Sequence, residues 1–389
     1  MGRRLGRILA AVLMCSVLLL PCGSLVSLEA KAEGAEEEPV YMFNVIGDMQ
    51  LGMSNAYTEK NYQQALENIK SLSPESQFIL SVGDQTDHSL ESEYKALDGY
   101  KEQILPDIPM YIAIGNHDRG GSDWKNRFIE SAKKNSGMDT IDNVYYSFQK
   151  NGSYFIFLGS EADNRDGLND VFISEEQFNW FKGQMEEAGK TGKPIFVVIH
   201  EPLYNTVSGS LPGQNWQGNP QDDGYYPDNK YGSLKEVLDQ YPSAYLFTGH
   251  THWEFKSDSP VVISDGSTAN YINCSSVGYL WTDDNRGYIE DGNYIGSEDL
   301  YVYVYKDKVV LKGRDLVNDK WVMEKTLPMI GVSAEAPESN DGSDASSPAS
   351  EGNGENKPNN TLTIVLVCVA VAVVAAAAII FAVLKFKKK

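Results

Sequence analysis

Basic residues are scarce in this chain of 389 residues, which carries 33 Lys and Arg against 54 Asp and Glu for a net charge of −21. A surface so acidic repels phosphate backbones, which argues against a nucleic-acid partner. Cysteine is scarcer still. Of four, Cys15, Cys22 and Cys368 lie in apolar stretches near the two ends, which leaves Cys274 alone between them. An internal disulfide is thereby excluded, and stability has to come from a core, which 42% hydrophobic residues over this length can supply. Histidine is rare as well, with only His88, His117, His200, His250 and His252.

The ends read as targeting and anchoring segments. Residues 1–32 open with Arg3, Arg4 and Arg7, continue with an apolar stretch too short for a comfortable membrane span, and offer small residues at Ala30 and Ala32 for cleavage. That is the pattern of a secretory signal peptide, with an uncleaved anchor as the alternative. Residues 361–384 are uncharged, and at helical rise they extend roughly 35 Å, enough for one C-terminal transmembrane helix. The basic tail 385–389, "KFKKK", places that end in the cytoplasm, so the expected location is the cell membrane, single-pass, with the bulk of the chain extracytoplasmic. Residues 333–360 are rich in Ser, Pro, Gly, Asn and acids, the composition of a disordered acidic linker.

Residues 39–329 show no internal boundary and read as one domain. Its apolar runs recur as "VYMFNVIGD", "FILSVGD", "MYIAIGNHD", "YFIFLGS", "PIFVVIH" and "AYLFTGH". Continuous hydrophobicity predicts strands buried on both faces. Between them, "TEKNYQQALENIKSL" spaces Tyr62, Leu66 and Ile69 at helical intervals, and "SEEQFNWFKGQMEEA" opens with a capping-box pattern from Ser174 to Gln177. "LYVYVYKDKVVLKGRD" reads as a hairpin. The expected fold class is α/β with a sandwich-like sheet core.

Most of these runs end on a side chain that suits a metal: Asp48, Asp84, Asn116 with His117, His200, and His250 with His252. One Asp after a strand is commonly a turn residue, but an ordered set allows the fold to gather them at the carboxyl ends of its strands. The motifs "GD" at 47, "GDQTD" at 83, "GNHD" at 115, "VVIHEP" at 197 and "GHTH" at 249, in this order, resemble the calcineurin-like metallophosphoesterase family over roughly residues 40 to 320. The resemblance implies a four-layer β-sandwich flanked by helices and a site for two divalent or trivalent ions. Carried over, Asp48 and His252 hold the first ion, Asn116, His200 and His250 the second, and Asp84 bridges them. His117 becomes the catalytic imidazole and Asp87 its orienting partner.

Mixed carboxylate and imidazole donors suit Mn, Fe or Zn. Such a pair can acidify a bridging water, whose hydroxide attacks phosphorus, so the expected activity is hydrolysis of small phosphomonoesters or phosphodiesters. Gln50 departs from the family pattern by standing where a histidine is usual. Its amide oxygen either coordinates the first ion more weakly than imidazole or contacts no metal. The same departure supports the alternative of a non-catalytic surface-binding protein on this fold. The aromatic residues Trp216, Tyr225, Tyr226 and Tyr231 either stack on substrate or only pin a long loop. "HEPLYNT" from His200 to Thr206 is similar to purple acid phosphatases, whose metal-binding tyrosine would fall at Asp87. A purple iron-tyrosinate chromophore is therefore not expected, and a strong visible absorption band in iron-loaded protein would overturn this.

Overall fold

The run Tyr41–Ile46 forms β1, and all six of its residues are buried. The chain continues through α1 (Thr58–Leu72), β2 (Ile79–Ser81), α2 (Glu91–Ile104) and β3 (Met110–Ile112), then a 3-10 turn over His117–Arg119 and α3 (Trp124–Ser136). A second series follows: β4 (Tyr146–Lys150), β5 (Ser153–Phe157), α4 (Glu175–Gly189), β6 (Ile195–Val198), α5 (Leu234–Leu238), β7 (Ala244–Thr248), β8 (Val262–Ile263) and β9 (Asn270–Asn273). Two small hairpins, β10 (Trp281–Thr282) with β11 (Arg286–Gly287) and β12 (Ile289–Glu290) with β13 (Asn293–Tyr294), precede β14 (Glu298–Val304), β15 (Lys308–Asp315) and β16 (Lys320–Pro328). The computed structural model describes residues 37–162, 171–214, 231–282 and 286–329. The expected signal, linker, membrane span and basic tail lie outside these residues, as do Trp216, Tyr225 and Tyr226. Among the described residues no helix is long and apolar enough to cross a membrane.

Two mixed six-stranded sheets form the centre. The first has the order β16-β15-β14-β1-β2-β3, and the second β4-β5-β6-β7-β9-β8. Strands β1, β2 and β3 run parallel, as do β5, β6, β7 and β9. Phenylalanines join the sheets: Phe43 of β1 meets Phe155, Phe196 and Phe247 edge to face, with centroids 5.7, 5.2 and 6.2 Å away. Each such pair contributes about 0.5–1.5 kcal/mol beyond the area it buries.

Alternation along β5, β6 and β7 explains why their sequences are apolar throughout. Phe155, Phe196 and Phe247 face the first sheet, whereas Ile156, Val197 and Leu246 pack with Phe178, Phe181 and Met185 of α4 and Val237 of α5. On the other side, Tyr62, Leu66 and Ile69 of α1, Leu97 of α2 and Phe128 of α3 join the core around β1, β2 and β3. The layers are thus helix, sheet, sheet, helix. The predicted helix of "TEKNYQQALENIKSL" coincides with α1, and the predicted hairpin forms between β14 and β15.

The Ser174 cap forms only in part. Ser174 Oγ accepts from Gln177 N at 3.1 Å, but the Gln177 amide turns inward and donates to Gly159 O at 2.9 Å. Glu161 Oε2 instead takes the Ser174 N–H, at 2.7 Å. A long-range partner has displaced the local one. Tyr231 is partly buried against the cluster under α4 and α5, in keeping with a pinning role.

Close approach of the strand-end loops demands glycine. A Cβ at Gly115 would lie 2.1 Å from Asp84 Oδ1 and 2.3 Å from Asp84 N, whereas at Gly99, inside α2, it would meet nothing within 4 Å. Gly115→Ala should therefore destabilise the chain by about 1–3 kcal/mol, while Gly99→Ala should stabilise it by about 0.5–1 kcal/mol. Denaturant unfolding of the two variants checks this, and equal shifts would refute the steric account.

Candidate metal and catalytic site

The loops that follow β1, β2, β3, β6 and β7 carry Asp48, Asp84, Asn116, His200, and His250 with His252 to one place. His250 and His252 sit beyond the end of β7, not on it. Their backbones are left-handed, with φ of 66° and 57°, and so are those of Asp48, Gln50 and Asp84, at 52°, 44° and 51°. Residues other than glycine adopt this region at a cost of order 1–3 kcal/mol each, and such strain concentrates at functional sites. It lets each side chain leave its strand end at an angle a regular strand does not offer. Gly249 makes room for the turn, because a Cβ there would lie 2.4 Å from Asp48 Oδ2.

Ligand-type atoms gather in two groups, Asp84 with His200 and His250, and Asp48 with Asp84 and His252, each within 4.8 Å of one another. Asp84 belongs to both. His200 Nε2 is 3.1 Å from Asp84 Oδ2, and His252 Nε2 is 3.2 Å from Asp48 Oδ1. Asn116 Oδ1 lies 3.1 Å from His200 Nε2 and 2.9 Å from His250 Nδ1. All of these residues are buried. Gln50 is buried in the same loop as Asp48, and its side-chain oxygen has no hydrogen-bond partner among the described residues.

The second ring nitrogens are occupied by the backbone. His200 Nδ1 lies 3.0 Å from Val82 O and His252 Nδ1 3.0 Å from Tyr279 O. Each carbonyl holds a proton on Nδ1 and leaves Nε2 as the donor atom facing the carboxylates. The Tyr279 ring also covers His252, with centroids 4.3 Å apart. Sequence reasoning passed over Tyr279, since nothing local marks a residue whose carbonyl is what matters.

Electrostatics favour cations here. Burial works against the carboxylate of Asp84, but His200, His117 and His250 outweigh it and hold Asp84 well below the usual carboxylate range. Burial likewise opposes charge on His200, yet Asp84 and Asp48 lift its pKa to about 10. Burial and the neighbouring His200 charge push His250 well down, so it stays neutral. A proton on His200 thus supplies positive charge that two buried carboxylates require. Two sets of carboxylate and imidazole donors, with the Asn116 side-chain oxygen beside His200 and His250 and the Gln50 oxygen in the loop of Asp48, fit metal ions.

His117 differs from the others by its exposure, with 37% of its side chain accessible. Its Nδ1 is 2.9 Å from Asp87 O and 3.3 Å from Asp87 Oδ1, and its main-chain N–H donates to Asp84 Oδ1 at 2.8 Å. Burial lowers its pKa, but Asp84 and Asp87 prevail and raise it to about 9. His88, 64% exposed, stands 3.1 Å from Asp87 Oδ2 and 3.4 Å from Glu93 Oε1, away from the two ligand groups.

Asp118 and Arg119 complete the surroundings and were missed from sequence. Asp118 accepts from Gly115 N, Thr86 N and Thr86 Oγ1 at 2.9, 3.0 and 2.8 Å, tying the loop after β2 to the loop after β3. Buried Arg119 reaches Glu201 beside His200. The available signal was position: Asp118 closes the GNHD motif and Arg119 directly follows it.

Comparison with known proteins accords with this geometry. Residues 41–254 match the family model described as calcineurin-like phosphoesterase. Purple acid phosphatase 23 of Arabidopsis thaliana is 26% identical over 168 residues, covering 42% of this chain and 32% of that protein. A 3',5'-cyclic-nucleotide phosphodiesterase of Nostoc sp. is 22% identical over 205 residues, covering 51% and 64%. This chain therefore spans between about a third and two thirds of these relatives. A dimetal phosphatase from Danio rerio superposes with a TM-score of 0.51 at 16% identity, over 75% of this chain and all of that one, which speaks for the fold. With the family match running through all the strand-end loops that build the site, the chain belongs to the calcineurin-like phosphoesterase family.

Proposed function

We propose that this protein is a metal-dependent hydrolase of small phosphomonoesters or phosphodiesters that works with two ions, on a domain tethered outside the cell membrane. The observation that carries the reading is the sharing of Asp84 between two groups of buried ligand atoms. Asp48, Asp84, His252 and the Gln50 oxygen would hold one ion, and Asp84, Asn116, His200 and His250 the other. The ions, once bound, would offset phosphoryl charge and acidify water. The tether rests on sequence alone, through the uncharged residues 361–384 and the lysines after them.

The chain's own contribution centres on His117. It is reachable from solvent while the ligand residues are buried, and Asp87 holds its Nδ1, so Nε2 is free to meet a substrate. A protonated imidazole in that position can donate to the leaving oxygen. The matched relatives include a phosphatase and a phosphodiesterase, which supports phosphorus chemistry and leaves both ester types within the proposal. Gln50 favours the second reading, a binding protein on the same fold. That reading gives His117 no task.

His117→Ala should lower hydrolysis of a phosphoester panel by about 10²- to 10⁴-fold with two ions per chain retained by elemental analysis. Unchanged turnover, or absence of turnover in the parent protein, would favour the binding reading. Metal binding should also release protons. Below its pKa of about 10, His200 is protonated in metal-free protein, and coordination needs the neutral ring. Calorimetric Mn2+ titration at pH 7 in buffers of different ionisation enthalpy should show about one proton released per chain, fading as pH passes 10. A heat independent of buffer at pH 7 would contradict the assignment of His200.

A further inference from the structure

Arg119 is fully buried beside the site, and its contacts cross from one sheet to the other. It stands in the 3-10 turn that follows β3, an edge strand of the first sheet. Its NH1 donates to Ser160 Oγ at 2.7 Å and to Ala162 O at 3.0 Å, in the loop after β5. Its NH2 donates to Glu201 Oε1 at 3.3 Å, in the loop after β6. Strands β5 and β6 belong to the second sheet. Three residues before Arg119 stands Asn116, and directly before Glu201 stands His200, and these two meet at 3.1 Å. The Asn116 to His200 contact and the Arg119 to Glu201 contact are therefore two sides of one closed frame across the sheet interface.

Asp48 and His252 also come from different sheets, but another segment joins them. Val277 N donates to Gly47 O and Gly278 N to Asp48 O, both at 3.0 Å, while Trp281 N donates to His252 O at 2.8 Å. The Arg119 bonds to Ser160, Ala162 and Glu201 run instead to the loops after β5 and β6.

We infer that Arg119, through Glu201 and the loop after β5, is a positioning residue that sets the spacing of Asn116 and His200 and so tunes the affinity of one ion of the pair. This rests on the two-ion reading above. A planar guanidinium presents several donors in a fixed fork, so it can hold two loops at a set spacing that a freely rotating ammonium does not fix. Small misplacements of ligands weaken metal binding, so the effect should fall on the Asn116 side and spare the Asp48 side.

The test is titration of Mn2+ alone into the metal-free full chain. In a His252→Ala background, where Asn116, His200 and His250 keep their places, adding Arg119→Met should lower Mn2+ affinity at least tenfold. In a His250→Ala background, where Asp48 and His252 remain, the same change should alter affinity less than threefold. If Arg119→Met does not yield folded protein, Arg119→Lys is read the same way, with a loss of at least threefold expected in the first background alone. Equal losses in the two backgrounds mark a purely structural role and overturn the inference, as do affinities unchanged in both. Fewer than two Mn2+ bound per parent chain would instead end the two-ion reading itself.

Discussion

The architecture depends on placing two buried carboxylates, Asp48 and Asp84, within reach of imidazoles delivered from the opposite sheet. Carboxylates in a dry interior are costly unless positive charge meets them. In the metal-free chain a proton on His200 provides some of that charge. The two sheets must therefore be held in register at their strand ends, and the phenylalanine seam between them, centred on Phe43, keeps their faces packed. Core and site answer to the same geometry.

The loops are correspondingly over-determined. Left-handed backbones at Asp48, Gln50, Asp84, His250 and His252 are unfavourable one at a time. They persist because the neighbouring main chain is committed elsewhere: His250 N donates to the Asp48 carboxylate at 2.9 Å, Gln50 N to Asp84 O at 2.9 Å, and Asp48 N to Gly83 O at 2.9 Å. A rigid first layer of this kind offers donor atoms without rearrangement.

Much of this was legible in the sequence, for identifiable reasons. Apolar runs continuous enough to be buried on both faces announced β1, β6 and β7, and polar residues flush against their ends announced the site. What stayed hidden were features that depend on residues far apart. The Gln177 amide leaves its local cap for Gly159, and Arg119 is spent on Ser160 and Glu201, neither of which any short pattern could signal. Tyr279 matters to His252 through a carbonyl every residue possesses. Gln50 lay between these cases: its departure was visible, whereas the burial of its side-chain oxygen with no hydrogen-bond partner among the described residues needed coordinates.

Strand β1 carries one more implication. It lies between β2 and β14, pairing Tyr41 with Val304, so its antiparallel neighbour is made only after most of the domain has been synthesised. Until then its edge is open, and open edges invite pairing with other chains. Closure of so distant a pairing is intrinsically slow. Chaperone demand during biosynthesis, and aggregation of any chain ending before Glu298, are thus built into the order in which this polypeptide is threaded.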